Sequence, residues 1–473
     1  MCGPSSTRAK NGKRTNGVTT DTWLPDIGAI AGPKYKAVAS AIAAAVTRGE
    51  LRHGDRLPPQ RDLAATLGID LTTVTKAYDL ARQRGLIVAR GRAGSFISPT
   101  AKNGEAAAAG QTDIAMNSPP MPADGRLPRA MAEALDMLVR DDGLARFHYQ
   151  RPGGAAADRE AGASLLSRMG LPSDSEQMLV TAGGQNALHA IATAILRPGD
   201  RVACGRHLYP GFRSIARRIG VTLVPLGQIS ADALADAHRA APLRALYVVP
   251  TNDSPTAATI AAAERAAIGA WAETAGVQII EDDAYGLLPH VPLPPITSFA
   301  PGMGWYIASM SKILSPALRV AFVRAPGAVE AVELAATQHE SAVMAPPLNA
   351  AMVSLWLSNG SFDLLAAGVR SEAVWRQRLA RTILGDAAYS AHPEGYHLWL
   401  PLADDSNPDI VASSLSLDGL SAVPSDRFAA SEAHDKALRI SLGGVIDRPA
   451  LTRGLRALDR HLRSPSAQAA PVI

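Results

Sequence analysis

Lys312 lies in the run Ser309-Met310-Ser311-Lys312-Ile313-Leu314-Ser315-Pro316-Ala317-Leu318-Arg319, among small hydroxyl residues and seven positions before an arginine. A primary amine in such company suits imine formation with an aldehyde whose phosphate the neighbours hold. Ser309, Ser311 and Arg319 can gather around that phosphate, Arg319 as a charge-assisted donor. In a desolvated, cationic setting the lysine pKa falls and the amine becomes a competent nucleophile. A lone lysine is far more often a solvated surface residue. The catalytic reading of Lys312 therefore depends on what the chain sets in order around it.

Three further motifs precede it. Thr181-Ala182-Gly183-Gly184-Gln185-Asn186 follows the strand-like Met178–Val180 and opens an apolar helix. Glycines there let backbone N–H groups approach a phosphate, although a glycine turn before a helix is often only a turn. Leu208-Tyr209-Pro210-Gly211 sets a tyrosine at a strand-end turn, where it stacks on a planar ring or serves the core. Ile279-Ile280-Glu281-Asp282-Asp283-Ala284-Tyr285 ends an apolar strand in carboxylates. A carboxylate in that position is costly unless paired. A protonated pyridine nitrogen would pair with it and hold the ring as an electron sink, with Tyr285 in reach of the ring's phenolic oxygen. Capping and metal binding are the alternatives for Asp282 and Asp283, and no histidine cluster supports a metal. The four motifs in this order outweigh a plain surface role for Lys312.

These residues need elements to position them. Short apolar runs such as Arg201–Cys204, Leu246–Val249, Val277–Ile280 and Trp305–Ala308 alternate with Ala-rich helical stretches from about residue 113 onward. That alternation predicts an α/β fold with a mainly parallel sheet and function grouped at strand ends.

The first hundred residues read differently. Tyr35–Arg48 is an amphipathic helix with Val38, Ile42 and Val46 on one stripe, stopped by Gly49. Pro58 and Pro59 open a short second helix that Gly68 closes. A third spans about Thr72–Arg84, with Val74, Tyr78 and Leu80 expected inside. Two short helices joined by a tight turn form a helix-turn-helix. Leu86–Ala89 and Ser95–Ile97 then bracket Arg90-Gly91-Arg92-Ala93-Gly94, a hairpin with two arginines at its tip. A recognition helix presents its first residues to base edges and phosphates. That places Thr72, Thr73, Thr75 and Lys76 as candidate DNA contacts, with Arg61, Arg90 and Arg92 reaching the backbone or minor groove. Capping is the commoner use of such threonines.

Charge agrees with this division. Residues 1–97 hold 15 Lys and Arg against 7 Asp and Glu, net +8; the rest holds 32 against 36, net −4. A basic segment beside a slightly acidic bulk suggests a polyanion partner for the first part alone. The hydrophobic fraction is 47% across 473 residues, which supports two or three domains. No apolar run reaches the 18 residues of a membrane span. The start, MCGPSSTRAKNGKRTNG, lacks the apolar stretch of a secretory signal. Cys2 and Cys204 give neither a disulfide framework nor metal-ligand spacing, and a reducing cytoplasm fits. The expected divisions are a disordered leader at 1–33, a DNA-binding domain at 34–99, a linker at 100–112, the large domain at 113–462 and a flexible tail at 463–473.

The segment GELRHGDRLPPQRDLAATLGIDLTTVTKAYDLARQRGLIVARGRAGSFI resembles the winged helix-turn-helix of GntR-family bacterial regulators, over about residues 34–97. The resemblance carries DNA contacts onto Arg61, Thr72, Thr73, Thr75 and the wing around Arg90 and Gly91. Leu71 and Thr75 stand where many relatives have arginine. The later motifs resemble fold-type I pyridoxal-phosphate enzymes of the aspartate-aminotransferase family, over roughly 113–462. This implies an aminotransferase fold with a smaller C-terminal α+β subdomain. It implies an internal aldimine on Lys312, Asp282 at the pyridine nitrogen, Tyr285 at the phenolic oxygen and Tyr209 against the ring. Gly184, Gln185, Ser309 and Arg319 would hold the phosphate, Tyr149 would reach a partner's phosphate, and Arg439 would clamp a carboxylate. In Val249-Pro250-Thr251-Asn252-Asp253-Ser254-Pro255-Thr256-Ala257, Ser254 replaces the family's asparagine and Ala257 its glycine. Asn252 could compensate from nearby. That change retunes the ring and weighs against efficient transamination more than against cofactor capture.

The combination resembles the MocR subfamily of regulators. It implies a cytoplasmic, head-to-tail homodimer that binds operator DNA. The effector is pyridoxal 5'-phosphate or an amino acid or amine acting by aldimine exchange at Lys312. The alternative is an active aminotransferase with an appended DNA-binding domain.

Overall fold

A computed structural model describes residues 23–25, 34–47, 50–51, 54–83, 86–89, 94–98, 116–141, 145–403, 406–417, 419–432 and 435–463. Most of the expected leader, the linker, the wing tip with Arg90, Gly91 and Arg92, and nearly all of the tail lie outside them. The chain divides into two compact units, 1–113 and 114–473.

In the first unit three helices, α1 (Lys34–Thr47), α2 (Gln60–Leu67) and α3 (Leu71–Gln83), precede an antiparallel pair, β1 (Ile87–Ala89) and β2 (Ser95–Ile97). Val38 and Ile42 of α1 pack with Leu63 of α2 and with Val74 and Tyr78 of α3. The Tyr78 hydroxyl donates to the Pro58 carbonyl at 2.7 Å, which fixes α3 to the entrance of α2. Gly68 ends α2 at φ 60, a conformation glycine adopts without a Cβ penalty. Leu80, expected inside, is only half-buried. The buried stripe runs through Val74, Ala77, Tyr78 and Ala81, the i, i+3, i+4, i+7 face, and Leu80 falls off it.

The second unit is built on a seven-stranded sheet. Its strands are β3 (Met178–Thr181), β4 (Arg201–Gly205), β5 (Thr222–Leu226), β6 (Ala245–Val248), β7 (Gln278–Asp282), β8 (Gly304–Ser309) and β9 (Ala321–Arg324). Their order is β3-β9-β8-β7-β6-β4-β5. Only β9 runs against its neighbours. Side chains alternate across the sheet, as the pleat requires. Met178, Val180, Tyr306, Ala308 and Phe322 enter one core. Leu179, Trp305, Ile307, Ala321 and Val323 enter another on the opposite face. Burial on both faces explains why these strands read as continuous apolar runs.

Since β9 opposes both β3 and β8, β3 runs parallel to β8, and thus to β7, β6 and β4. The carboxyl ends of these five strands share one edge of the sheet, where an open α/β sheet binds its ligands. A four-stranded antiparallel sheet follows, in the order β10-β11-β13-β12: β10 (Ser390–Ala391), β11 (His397–Pro401), β12 (Ala422–Pro424) and β13 (Ala437–Ser441). With its helices it forms the smaller α+β part.

Candidate functional site

Each motif occupies a strand end on that edge. The Gly183-Gly184 turn follows β3 and opens α4 (Gly184–Ile195). Tyr209 follows β4, Ser254 lies in the loop after β6, Asp282 is the last residue of β7, Ser309 is the last of β8, and Lys312 and Arg319 follow it. They line one cavity of about 720 Å³, joined by Gly184, Gln185 and Tyr285, with Arg439 entering from β13.

The turn after β3 is shaped for an anion. Gly183 has φ +84, and a Cβ there would meet the Arg319 guanidinium at 2.8 Å. Glycine therefore lets Arg319 close on the turn, where its Nη2 donates to the Ala182 carbonyl at 3.0 Å. Ser309 lies beside Gly184, its Oγ 3.5 Å from where a Cβ would stand. The amino end of α4, an exposed guanidinium and a hydroxyl thus meet at one place, an arrangement that suits an anion.

Asp282 is buried beneath the cavity and accepts a hydrogen bond from the Tyr247 hydroxyl at 3.1 Å. Burial pushes its carboxyl up to about 6, opposed first by the Tyr247 bond. A buried carboxylate with one donor is suited to a protonated ring nitrogen. Burial and then the Arg439 charge push the Lys312 ammonium down to about 8, against the opposing pull of Asp282. The amine is thus poised to lose its proton near neutrality. Arg439 is itself buried, with its guanidinium 5.2 Å from the Phe428 ring centre.

One polar network unites these groups, and sequence reasoning missed its hub. Asn117 is buried. Its backbone carbonyl accepts from Lys312 Nζ at 2.7 Å. Its Nδ2 donates to Tyr285 Oη at 2.9 Å and lies 3.2 Å from His397 Nδ1. Its Oδ1 accepts from the Ser441 hydroxyl at 2.8 Å. His397 Nε2 stands 3.0 Å from the Asp253 carbonyl. A carbonyl only accepts, so Nε2 carries the ring proton and Nδ1 receives Asn117. Burial keeps that ring neutral, pushing its pKa down to about 3. Asn117 follows a small polar stretch without periodicity, so nothing in the sequence marked it. Tyr247 did leave a signal: a tyrosine in the aliphatic run Ala-Leu-Tyr-Val must satisfy its hydroxyl when buried.

Asn252 and Tyr149 sit elsewhere. Asn252 is buried off the cavity lining, and its side-chain amide has no hydrogen-bond partner among the described residues. Ser254 lines the cavity beside Tyr285, whose phenol pKa burial raises, opposed first by the Asn117 hydrogen bond and more weakly by Arg439 and Ser254. Tyr149 stands 85% exposed, away from the lining. Ala257, which replaces the glycine, has φ 59, a left-handed conformation that strains a residue with a Cβ.

In the first unit Arg61 and Lys76 are exposed cations without an ion pair among the described residues. The Thr72 N–H and hydroxyl both donate to Asp70 Oδ1, at 2.7 and 2.5 Å. The Thr75 hydroxyl lies 2.9 Å from both Gln60 Oε1 and the Leu71 carbonyl. These hydroxyls are spent as donors inside the unit and present lone pairs outward. Thr73 is half-buried. Exposed Arg56 lies against Gly94 at the base of the hairpin, a further cation that sequence reasoning passed over.

Comparison with known proteins agrees with both halves. The model for aminotransferase class I and II matches residues 109–379. The model for bacterial regulatory proteins of the gntR family matches residues 34–97. YdeF, an uncharacterized HTH-type transcriptional regulator of Bacillus subtilis, is 26% identical over 93% of this chain and 97% of its own. The HTH-type pyridoxine biosynthesis transcriptional regulator PdxR of Corynebacterium glutamicum is 26% identical over 84% of this chain and 89% of its own. Among solved structures, LysN, the α-aminoadipate aminotransferase of Thermus thermophilus complexed with N-(5'-phosphopyridoxyl)-L-leucine, superposes with a TM-score of 0.67. It is 24% identical and covers 77% of this chain and 98% of its own.

Proposed function

This chain belongs to the aminotransferase class I and II family and carries a gntR-type DNA-binding segment ahead of that domain, and from this premise we propose a MocR-type transcriptional regulator that senses through Lys312. The observation that carries the reading is the cavity in which Lys312, Asp282, Arg319 and Arg439 converge, on the same chain as a basic helix-turn-helix.

The residues present fit pyridoxal 5'-phosphate. Gly184, Gln185, Ser309 and Arg319 would hold its phosphate, Asp282 its ring nitrogen, Tyr285 and Ser254 its phenolic oxygen, and Tyr209 a ring face. Bound there, the group supplies an aldehyde that condenses reversibly with primary amines. The protein's part is to keep a fraction of Lys312 deprotonated near neutral pH, to hold Asp282 beneath the ring through Tyr247, and to fix the Tyr285 hydroxyl through Asn117. Arg439 receives the carboxylate of an amino-acid effector as a charge-assisted pair. An amine or amino acid that competes with Lys312 returns the lysine to its free state. For DNA affinity to respond, that exchange must favour one state of the protein over another.

The relative named for pyridoxine biosynthesis supports a B6 vitamer as the effector. Exposed Leu135, Met137, Val139 and Phe147, together with Tyr149, support a second copy docking on the large unit, as a head-to-tail homodimer requires. No helix among the described residues is long and apolar enough to cross a membrane, and we place the protein in the cytoplasm with its DNA.

A DNA-binding titration of the full chain with and without pyridoxal 5'-phosphate tests the proposal. Affinity that changes in the wild type and not in Lys312→Ala supports it. Steady transamination at roughly 1 per second or more would instead make the chain an aminotransferase with an appended DNA-binding domain.

A further inference from the structure

Asn117 occupies a singular place along the chain. The second unit begins at Ile114, and the preceding stretch leads back to the helix-turn-helix. Asn117 is thus among the first described residues after that stretch, and it is tied into the cavity by both backbone and side chain. Its carbonyl takes the Lys312 ammonium; its amide takes Tyr285, His397 and Ser441. The next residue continues the attachment: the Gly444 N–H donates to the Ser118 carbonyl at 2.9 Å and lies 3.2 Å from that of Pro119. A Cβ on Gly443 would collide with the Ser118 carbonyl, so glycine is what lets the segment seat there.

Among the described residues Lys312 is the donor to the Asn117 carbonyl. A buried carbonyl that loses its donor is not indifferent; it must find another or move to water. We propose that Asn117 reads the chemical state of Lys312 and passes it to the segment that leads, along the chain, to the DNA-binding unit. The inference rests on Lys312 being the amine that an aldehyde cofactor occupies. Condensation of the neutral amine with an aldehyde forms a C=N bond and breaks the C=O bond. Both amine hydrogens leave with the carbonyl oxygen as one water. The ammonium's three donors are replaced by a nitrogen with none, or one when protonated. The hold on Asn117 is then weakened, and residues 116–120 and their anchor at Gly444 loosen. When a competing amine frees Lys312, the hold returns.

Hydrogen exchange on the full chain tests this, read at the Gly444 amide and at peptides spanning 116–127. Three conditions are compared: no ligand, pyridoxal 5'-phosphate, and pyridoxine 5'-phosphate, which carries an alcohol in place of the aldehyde. The aldehyde should speed exchange on the order of fivefold, the worth of one lost hydrogen bond, and the alcohol should not. Lys312→Met should exchange fast without ligand, with no further change when the aldehyde is added. An absorbance band near visible wavelengths together with unchanged exchange would overturn the inference while leaving Lys312 as the cofactor amine. Equal acceleration by alcohol and aldehyde would also overturn it, since filling the cavity, not the lysine, would then be what is read. No band and no change would overturn both the inference and the reading beneath it.

Discussion

Lys312 is held at a pKa of about 8 against an ordinary 10.5, and this difference sets how fast it captures an aldehyde. Only the neutral amine is nucleophilic. At pH 7.5 a group of pKa about 8 is neutral in about a quarter of molecules, against about one in a thousand at pKa 10.5, a ratio of roughly 240. Capture by the cofactor-free chain should therefore rise about tenfold per pH unit below 8 and level off above it. Stopped-flow absorbance from pH 6 to 10 after mixing with pyridoxal 5'-phosphate gives the profile. Two substitutions test its cause with opposite signs. Arg439→Gln removes a cation that depresses the lysine, so the plateau should begin at higher pH. Asp282→Asn removes the anion that supports the ammonium, so it should begin at lower pH. A wild-type rate still climbing tenfold per unit through pH 9 would refute the reasoning, as would both variants shifting the same way.

Tyr247→Phe strips a buried carboxylate of its donor and should cost about 1–3 kcal/mol in urea unfolding at pH 7.5. Asp282 already has a pKa raised to about 6, and the substitution raises it further. Protonation then favours the fold, so the cost should shrink at pH 5; an equal cost at both pH values would argue against a charged Asp282. Ala257→Gly relieves a left-handed φ and should stabilise by about 1 kcal/mol, read as a higher melting temperature with cofactor absorbance unchanged. Arg61→Ala should weaken DNA binding and reduce the salt slope by about 1; an unchanged slope would remove Arg61 from the phosphate contacts.

The positions of the strands and the cavity were legible because parallel strands buried on both faces leave unbroken apolar runs, and their ends carry the polar residues. Asp282 stood out for the same reason: a charge at the end of such a run demands a partner. Lys312 stood out by its neighbours Ser309, Ser311 and Arg319. Asn117 was illegible because its role depends on a backbone carbonyl and on four residues, Tyr285, Lys312, His397 and Ser441, that are distant in sequence. The roles of Thr72 and Thr75 were only half legible. Their types suit either capping or phosphate, and the neighbours Asp70 and Gln60 decide where the hydroxyl protons go. Leu80 was misplaced by reading the stripe one step off its period.

If the state of Lys312 governs DNA affinity, that coupling is visible on a duplex enriched by the full chain from a random-sequence pool. Its dissociation constant is compared with and without saturating pyridoxal 5'-phosphate, for the wild type and for Lys312→Ala. A coupling in the usual range shifts the wild-type constant by about 5- to 150-fold and leaves the variant unmoved. Identical constants in the wild type, with the cofactor band fully formed, would contradict it.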